Sequence, residues 1–151
     1  MDQLDKRILR ALRADGRMTW SQLSAQVHLS ASACQRRVET LQRDGVIERF
    51  TVRLNQAALG YDVRAFINVN IDRQQTAQVE AFRREIVKHP NVQACHMVSG
   101  DIDFVLDVVA DSLDSFSDFI DGDLLNMPAV KDASSSIVLR EIKPPTPAIG
   151  D

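Results

Sequence analysis

Hydrophobic residues near the start of the chain recur at helical spacing. Leu4, Ile8 and Leu12 fall on one face of a helix over residues 3–14. Thr19, three residues before Gln22, forms a capping-box pattern that starts a short second helix ending near residue 28. Each helix carries one apolar face, which predicts that the two pack on a common core.

A third helix follows, between an N-capping serine and a glycine. Ser30 is a favourable N-cap, and Gly45 supplies the backbone freedom that ends a helix. The intervening segment "ASACQRRVETLQRD" places three apolar residues on its inner face, namely Cys34, Val38 and Leu41. A short helix followed by a capped helix is typical of a helix-turn-helix.

The segment "VIERFTVRL" after Gly45 alternates as a β-strand does. Arg49, Thr51 and Arg53 fall on one side of it. A basic strand behind three helices predicts a winged helix-turn-helix domain over residues 1–55, followed by a linker over residues 56–61.

Alternation of apolar and polar residues dominates the remainder, residues 62–151, and predicts a second domain. Helical periodicity interrupts the alternation over residues 76–89 and 112–126. The order strand, helix, strand, strand, helix, strand is the ferredoxin-like plan, so the fold class is α+β. The predicted strands cover residues 63–71, 92–99, 104–110 and 130–142.

Two of these strands carry apolar residues on both faces. Phe104, Leu106 and Val108 alternate with Val105 and Val109. In a ferredoxin-like domain the helices cover only one face of the sheet. An apolar second face predicts burial against another copy of the chain, and therefore a homodimer.

Charge and composition narrow the class of protein. The net charge of the 151 residues is −3, but residues 1–55 hold ten Lys/Arg against six Asp/Glu, and the remainder hold eight against fifteen. A basic first domain favours contact with a polyanion, and an ordinary solvated surface is the alternative.

The distant Cys34 and Cys95 indicate neither a disulfide nor a structural metal. Since no stretch resembles a membrane span or secretory signal, we expect a cytoplasmic protein with no membrane partner.

The outer face of the third helix offers side chains suited to DNA. Small and hydroxyl residues at its start allow close approach to phosphates, and arginines reach phosphates or guanine edges. A merely solvated, charged helix face is the alternative interpretation. The predicted contacts with double-stranded DNA are Ser30, Ser32, Gln35, Arg36 and Arg37, with Arg49 and Arg53 from the strand.

The stretch "SGDID" places two carboxylates, Asp101 and Asp103, beside Gly100 between apolar runs. A hairpin turn is one interpretation, because Gly and Asp tolerate the conformations of tight turns. A catalytic pair would lack a nucleophile and base, and a metal site would lack further ligands, so we predict neither enzyme activity nor a metal. The third interpretation is a ligand loop whose backbone N–H groups and Asp meet an amino acid's carboxylate and ammonium.

Two separated motifs resemble one family. The segment "LSASACQRRVETLQRDGVI" resembles the DNA-binding domain of the leucine-responsive regulator/AsnC (feast/famine) family of transcription regulators. The segment "HMVSGDIDFVLDV" is similar to the family's Val-x-Gly-Asp-x-Asp-Tyr hairpin, with Phe104 where the family usually has Tyr. The likeness covers nearly the whole chain, in order.

This resemblance implies a sequence-specific transcriptional regulator, without a cofactor, that dimerises through its second domain and assembles as an octamer of four dimers. It also implies that a small effector, often an amino acid, binds between dimers and changes their assembly or DNA affinity. The implied effector residues are Met97, Val98, Ser99, Gly100, Asp101 and Asp103, with Ser134, Ser135 and Ser136 as further candidates.

Two other functions remain open from the sequence. An architectural protein would bind DNA with weak sequence preference and no dependence on a metabolite. An amino-acid-sensing module similar to ACT domains would share the ferredoxin-like plan. That second alternative leaves the basic first domain without a role.

Overall fold

The computed structural model describes residues 1–150, which fall into two compact units. The first unit comprises Met1–Arg53 together with residues 144–150, and the second comprises Leu54–Lys143. The sequence-based division assigned residues 144–151 to the second domain, and residue 151 lies outside the described residues. The difference has a physical cause, because arginines of the first helix donate hydrogen bonds to the carbonyls of Pro147 and Gly150.

The first unit contains the three predicted helices. Helix α1 spans Gln3–Ala14, α2 spans Trp20–Val27 and α3 spans Ala31–Arg43. Each begins at a side chain that accepts a hydrogen bond from a backbone N–H of its first turn, as Thr19 and Ser30 were predicted to do. The inner faces share one core, whose buried residues are Ile8, Ala11, Leu23, Val27, Cys34, Val38 and Leu41.

The helix ends are fixed by backbone conformation. Gly45, with φ of +72°, follows α3 as predicted, and the N–H groups of Val46 and Ile47 return to the Leu41 carbonyl at 2.9 and 3.0 Å. His28 takes the same left-handed conformation after α2, with φ of +59°. These two turns therefore set the start and the end of the third helix.

The predicted wing strand is not formed. Residues 46–53 contain no strand, and the side chains of Phe50 and Val52 are exposed. Alternation identifies an extended segment, but a strand also needs a neighbour for its ladder hydrogen bonds. Among the described residues of the first unit there is no such neighbour. Arg49 and Arg53 consequently lie on an irregular segment.

The second unit is an antiparallel sheet with two helices, preceded by a 3₁₀ turn at Ala57–Leu59. Its elements are β1 Val63–Ile71, α4 Thr76–Ile86, β2 Val92–Met97, β3 Phe104–Ala110, α5 Leu113–Asp118 and β4 Val130–Ile137. The strand order β2-β3-β1-β4 confirms the ferredoxin-like prediction. Strands β2 and β4 end earlier than the alternation predicted, and α4 is capped by Gln75 without a side-chain hydrogen bond.

The helix predicted over residues 112–126 changes character part-way. After α5 the chain continues as a π-helix over Phe119–Leu124. The wider π turn bonds residue i to residue i+5, which brings Phe119 and Leu124 to one side, and both are buried. A single apolar face over three turns had suggested a regular α-helix, since hydrophobic spacing alone does not separate the two.

The core of the second unit lies between the helices and one face of the sheet. Ala65, Ile67 and Val69 of β1 are fully buried. Phe82 of α4 is also fully buried, with its ring centroid 5.1 Å from that of Phe104 on β3. This aromatic contact fastens α4 to the strand that follows the "SGDID" hairpin.

The other face of the sheet is open in this chain. Arg64 on β1 donates hydrogen bonds of 2.9 and 2.7 Å to the two carboxylate oxygens of Asp107 on β3. Phe66 beside this ion pair is 42% exposed, and Val105 is half-buried. The face thus mixes a bidentate ion pair with apolar surface, and the predicted dimer through it stays a prediction.

Phe82→Ala tests the core of the second unit. We expect a loss of about 3–5 kcal/mol in the free energy of unfolding, because a fully buried aromatic ring is replaced by a cavity. Urea denaturation followed by circular dichroism would measure it. Val87→Ala, at a position just after α4 that is 67% exposed, is the control and should change stability by less than about 0.5 kcal/mol. Equal losses in the two variants would contradict this assignment of the core.

Candidate DNA-binding face and hairpin groove

The N-terminal end of α3 presents a polar surface. Ser30 accepts a hydrogen bond from the Ala33 N–H at 3.2 Å, and its hydroxyl lies 3.2 Å from that of Ser32. Gln35 donates to Glu39 at 2.9 Å, and Arg36 is exposed. Four of the seven predicted DNA residues therefore share one end of one helix.

Unlike Arg36, Arg37 forms ion pairs with other residues of the first unit. Its guanidinium donates to Asp2 at 2.9 Å and to Asp5 at 2.7 Å, and its side chain is only 29% exposed. The hydrogen bonds to Asp5, and then those to Asp2, raise the pKa of Arg37 above its ordinary value. Arg37 joins α3 to α1 and so has a structural role, and its predicted contact with DNA stays a prediction.

The "SGDID" segment forms a tight hairpin between β2 and β3. Gly100 has φ of +120°, a conformation that favours glycine, and the Val98 N–H donates to the Asp103 carbonyl at 3.0 Å. Asp101 is exposed at the tip. The hairpin interpretation of the sequence is therefore correct, whatever else the loop does.

Asp103 is the one polar or charged residue in the described chain that is buried, with 8% of its surface exposed. One carboxylate oxygen accepts the Ile71 N–H at 2.9 Å, and the other accepts Nε of Arg73 at 2.7 Å together with Nη2 of the same side chain. The Ile71 N–H, with a smaller effect of Arg73, holds the pKa of Asp103 below its ordinary value against the opposing effect of burial. Asp103 thus fastens the hairpin to the end of β1.

An open groove of about 740 Å³ lies beside the hairpin, and we call it the hairpin groove. Five of the predicted effector residues line it, namely Met97, Val98, Ser99, Gly100 and Asp103. The opposite wall and floor are formed by residues outside the predicted effector set, namely Ile71, Arg73, Thr76, Val79, Glu80, Arg83 and Phe104. Helical spacing could have identified part of this wall. It places four residues on one side of α4, namely Thr76, Val79, Glu80 and Arg83.

Charged residues of the opposite wall are paired within the groove. Arg83 donates to Glu80 at 2.7 Å and to the Met97 sulfur at 3.3 Å, and its guanidinium lies 5.9 Å from the Phe104 ring centroid. Phe104 is 4% exposed, so its ring belongs to the core as well as to the groove floor. The groove therefore combines an apolar floor with balanced charges at its rim.

The remaining predicted effector residues lie elsewhere. Ser134 and Ser136 on β4 pair with Asn68 and Phe66 of β1 on the open face of the sheet, and Ser135 pairs with Ile67. All three serines are exposed. Asp101 borders an adjoining depression, which shares Ile71, Arg73 and Asp103 with the hairpin groove. None of these four predicted residues lines the hairpin groove itself.

Two family descriptions match this chain. The AsnC-type helix-turn-helix domain matches residues 1–42, and the Lrp/AsnC ligand binding domain matches residues 64–148. The chain belongs to the Lrp/AsnC family. The second match includes the sheet, both helices beside it and the hairpin groove, so the groove lies in the family's ligand-binding domain.

Curated relatives are similar in sequence to this Lrp/AsnC protein along nearly its whole length. It is 39% identical over 143 residues to the leucine-responsive regulatory protein of Rhizobium meliloti (strain 1021), covering 95% of this chain and 92% of the relative. It is 32% identical to the Escherichia coli (strain K12) protein of the same name, with coverages of 95% and 87%.

Solved structures agree with the fold. A transcriptional regulator of Neisseria meningitidis in complex with L-Met superposes with a TM-score of 0.91 at 34% identity, covering 95% of this chain and 92% of that one. An AsnC family transcriptional regulator from Agrobacterium tumefaciens has a TM-score of 0.90 at 28% identity, with coverages of 98% and 96%. The fold class of the whole chain is therefore shared with known regulators.

This chain is accordingly a DNA-binding transcriptional regulator with a ligand-binding domain. The relatives above are named as regulators and not as enzymes. Across residues 1–150, the structure contains no helix long and apolar enough to cross a membrane. In the same range, no group of three or more His, Cys, Asp or Glu side chains is placed to hold a metal ion.

Asp103→Asn tests the fastening of the hairpin. We expect it to lower the free energy of unfolding by about 1–3 kcal/mol at neutral pH, because one amide oxygen cannot serve the donors of both Ile71 and Arg73. The native pKa of Asp103 lies below its unfolded value of about 3.9, so its contribution is present above that pH and is lost as the pH falls through the native pKa.

The difference between wild type and Asp103→Asn should accordingly shrink from pH 7 to pH 3. Urea denaturation at the two pH values measures it. Asp101→Asn, on the exposed tip of the same hairpin, is the matched control and should have no such effect. A deficit of the same size at both pH values would show that the charge of Asp103 is not what matters.

Proposed function

We propose that this protein regulates transcription in response to an amino acid bound in the hairpin groove. The observation that carries the proposal is the groove itself, which lies in the ligand-binding domain and joins an apolar floor to a charged rim. A free amino acid has the matching chemistry, since it carries an ammonium and a carboxylate on an apolar or polar side chain. The Neisseria meningitidis regulator, a close structural neighbour, was solved as an L-Met complex.

The roles of the groove residues differ from those that the hairpin motif suggested. Both oxygens of Asp103 already accept hydrogen bonds, which makes it a poor partner for the effector's ammonium. Arg73 binds Asp103 through Nε and Nη2, and its side chain is 72% exposed. Its second amino nitrogen, Nη1, is not used by Asp103 and is a suitable donor to the effector's carboxylate.

The remaining groups of the groove can complete the binding of an amino acid. Glu80 on the opposite wall carries the negative charge that an ammonium requires, and it is held in place by Arg83. Val79, Met97 and Phe104 offer the apolar contacts for a side chain. In this proposal Arg73 and Glu80 recognise the zwitterion, and the floor selects the side chain.

The proposed DNA contacts are Ser30, Ser32, Gln35 and Arg36 at the start of α3, with Arg49 and Arg53 from the segment that follows. Hydroxyl and amide groups near a helix N-terminus suit phosphates, and Arg36 suits a phosphate or a guanine edge. Arg37 is excluded from this set because it pairs with Asp2 and Asp5. The protein acts on DNA, so we place it in the cytoplasm.

We place a second copy of the chain on the open face of the sheet. The exposed Phe66 and the half-buried Val105 supply apolar contact area around the Arg64–Asp107 pair. Dimers bring two DNA-binding units together, and an octamer of four dimers would bring eight. An effector that favours one arrangement of dimers then changes which DNA sites are reached, with a coupling of about 1–3 kcal/mol, or roughly 5- to 150-fold in affinity.

Arg36→Ala tests the DNA-binding face. We expect DNA affinity to fall about tenfold and, if the contact is to a phosphate, the slope of log affinity against log salt to shrink by about 0.9. Fluorescence anisotropy with a labelled duplex at several salt concentrations measures both quantities. Arg43→Ala, at the C-terminal end of the same helix and 74% exposed, removes an equal charge and serves as the control. Equal losses in the two variants would indicate a general charge effect and not a contact of Arg36.

Arg73→Gln tests the groove. Wild-type protein should be stabilised by at least one of the twenty amino acids in a thermal-shift screen, since a ligand of the folded state raises its stability. The variant should lose this shift and keep basal DNA affinity within about twofold of wild type. Arg84→Gln removes the same charge from α4 outside the groove and should respond as wild type does.

Two results would count against this function. An unchanged thermal shift in Arg73→Gln would move the effector site away from the hairpin groove. DNA-binding curves that superimpose with and without every amino acid would leave a DNA-binding protein without amino-acid control.

A further inference from the structure

The first unit ends with a peptide that the family comparison assigns to the other domain. Residues 144–148 fall within the match to the ligand binding domain, yet residues 144–150 pack with the DNA-binding unit. Strand β4 ends at Ile137, so only residues 138–143 separate the sheet from this C-terminal peptide. The first unit is therefore built from two separate segments of the chain, one at each end of the described residues.

Specific contacts hold the C-terminal peptide against α1. Arg13 donates to the Pro147 carbonyl at 2.8 Å, and Arg10 donates to the Gly150 carbonyl at 3.2 Å. Ile149 between these two anchors is partly buried, whereas Ile142, just before the peptide, is 85% exposed. Two arginines three residues apart on one helix face thus match two carbonyls three residues apart on the peptide.

The surface below the peptide is apolar. It is formed by Leu9 and Leu12 of α1 and by the irregular segment after α3, where Val46 and Phe50 are large exposed hydrophobic residues. A groove of about 630 Å³ remains between this surface and residues 147–150. The peptide therefore covers only part of this surface, since Val46 and Phe50 stay 47% and 51% exposed.

Backbone composition also suits a detachable segment. The peptide begins "PPTP", and prolines at positions 144, 145 and 147 restrict the chain before docking, which lowers the entropy lost on binding. Described residues of the peptide form no helix or strand, so no ladder of backbone hydrogen bonds locks it in place. The described attachments include the two arginine hydrogen bonds and the partly buried side chain of Ile149.

We infer that the C-terminal peptide is an intramolecular ligand of the DNA-binding unit. Docked, it holds α1 against the segment at residues 46–51 and supports the DNA-binding form of the unit. Released, it exposes more of the apolar surface and loosens the segment that carries Arg49. This inference is independent of the effector groove, because no groove residue takes part in it.

Limited digestion with carboxypeptidase Y, followed by intact-mass spectrometry, tests the docking in the 151-residue chain. We expect residues 148–151 to be removed about tenfold faster from the Arg10→Ala/Arg13→Ala variant, because the hydrogen bonds to the Pro147 and Gly150 carbonyls are lost, and tenfold corresponds to about 1.4 kcal/mol. Arg7→Ala on the same helix, and exposed, should digest as wild type does. The tail sequence is identical in all three proteins, so protease preference does not enter.

DNA affinity tests the role of docking. Ile149→Ser should weaken binding by about threefold or more, and Ile142→Ser, at the 85% exposed position, should not. Equal digestion rates in wild type and the double variant would overturn the docking, and unchanged affinity in Ile149→Ser would overturn its role. A wild-type digestion rate that depends on protein concentration would mean that the peptide docks on another copy, which would also overturn the inference.

Discussion

The buried carboxylate of Asp103 is the interaction on which the second unit's ligand-binding region depends. It joins two pieces of chain that are distant in sequence, because the carboxylate at the base of the hairpin accepts hydrogen bonds from the N–H of Ile71, at the end of β1, and from the guanidinium of Arg73 just after it. Without it, the hairpin would lose its hydrogen bonds to the end of β1 and to Arg73, which form one side of the hairpin groove. A charge buried in this way is tolerable because each of its oxygens is satisfied.

Whether an arginine is paired with a carboxylate also distinguishes structural arginines from those that can bind a ligand. Arg37 and Arg64 are each bound to carboxylates at 2.9 Å or less and are largely withdrawn from solvent, so they stabilise the two units. Arg36 is exposed beside the N-terminus of α3, where a polyanion can reach it. Arg73 stands between these cases, since part of its guanidinium holds Asp103 and the rest faces the groove. Sequence position alone does not reveal this division, because Arg36 and Arg37 are adjacent.

Membership of the Lrp/AsnC family connects the DNA-binding helix and the hairpin groove, because the family descriptions cover a DNA-binding domain and a ligand-binding domain. The DNA-binding end of α3 and the hairpin groove belong to different units, and a regulator needs a physical route from one to the other. Two covalent routes are visible in this chain, one through residues 54–62 and one through residues 138–143. Phe104, where the family usually has Tyr, packs on Phe82 and under Arg83, so its ring serves the core even without a hydroxyl.

Features that depend on neighbours along the chain could be predicted from the amino-acid order alone. Capping residues such as Thr19 and Ser30, the left-handed Gly45 and the alternation along β1 are local, so they predicted most helix starts and the ferredoxin-like order correctly. Other features became visible only in the folded chain: the partners of Asp103 and Arg37, the opposite wall of the groove, the absence of a wing strand in residues 46–53 and the docking of residues 144–150. Each of these depends on groups brought together from distant positions, and neither periodicity nor capping patterns carry information about such pairs.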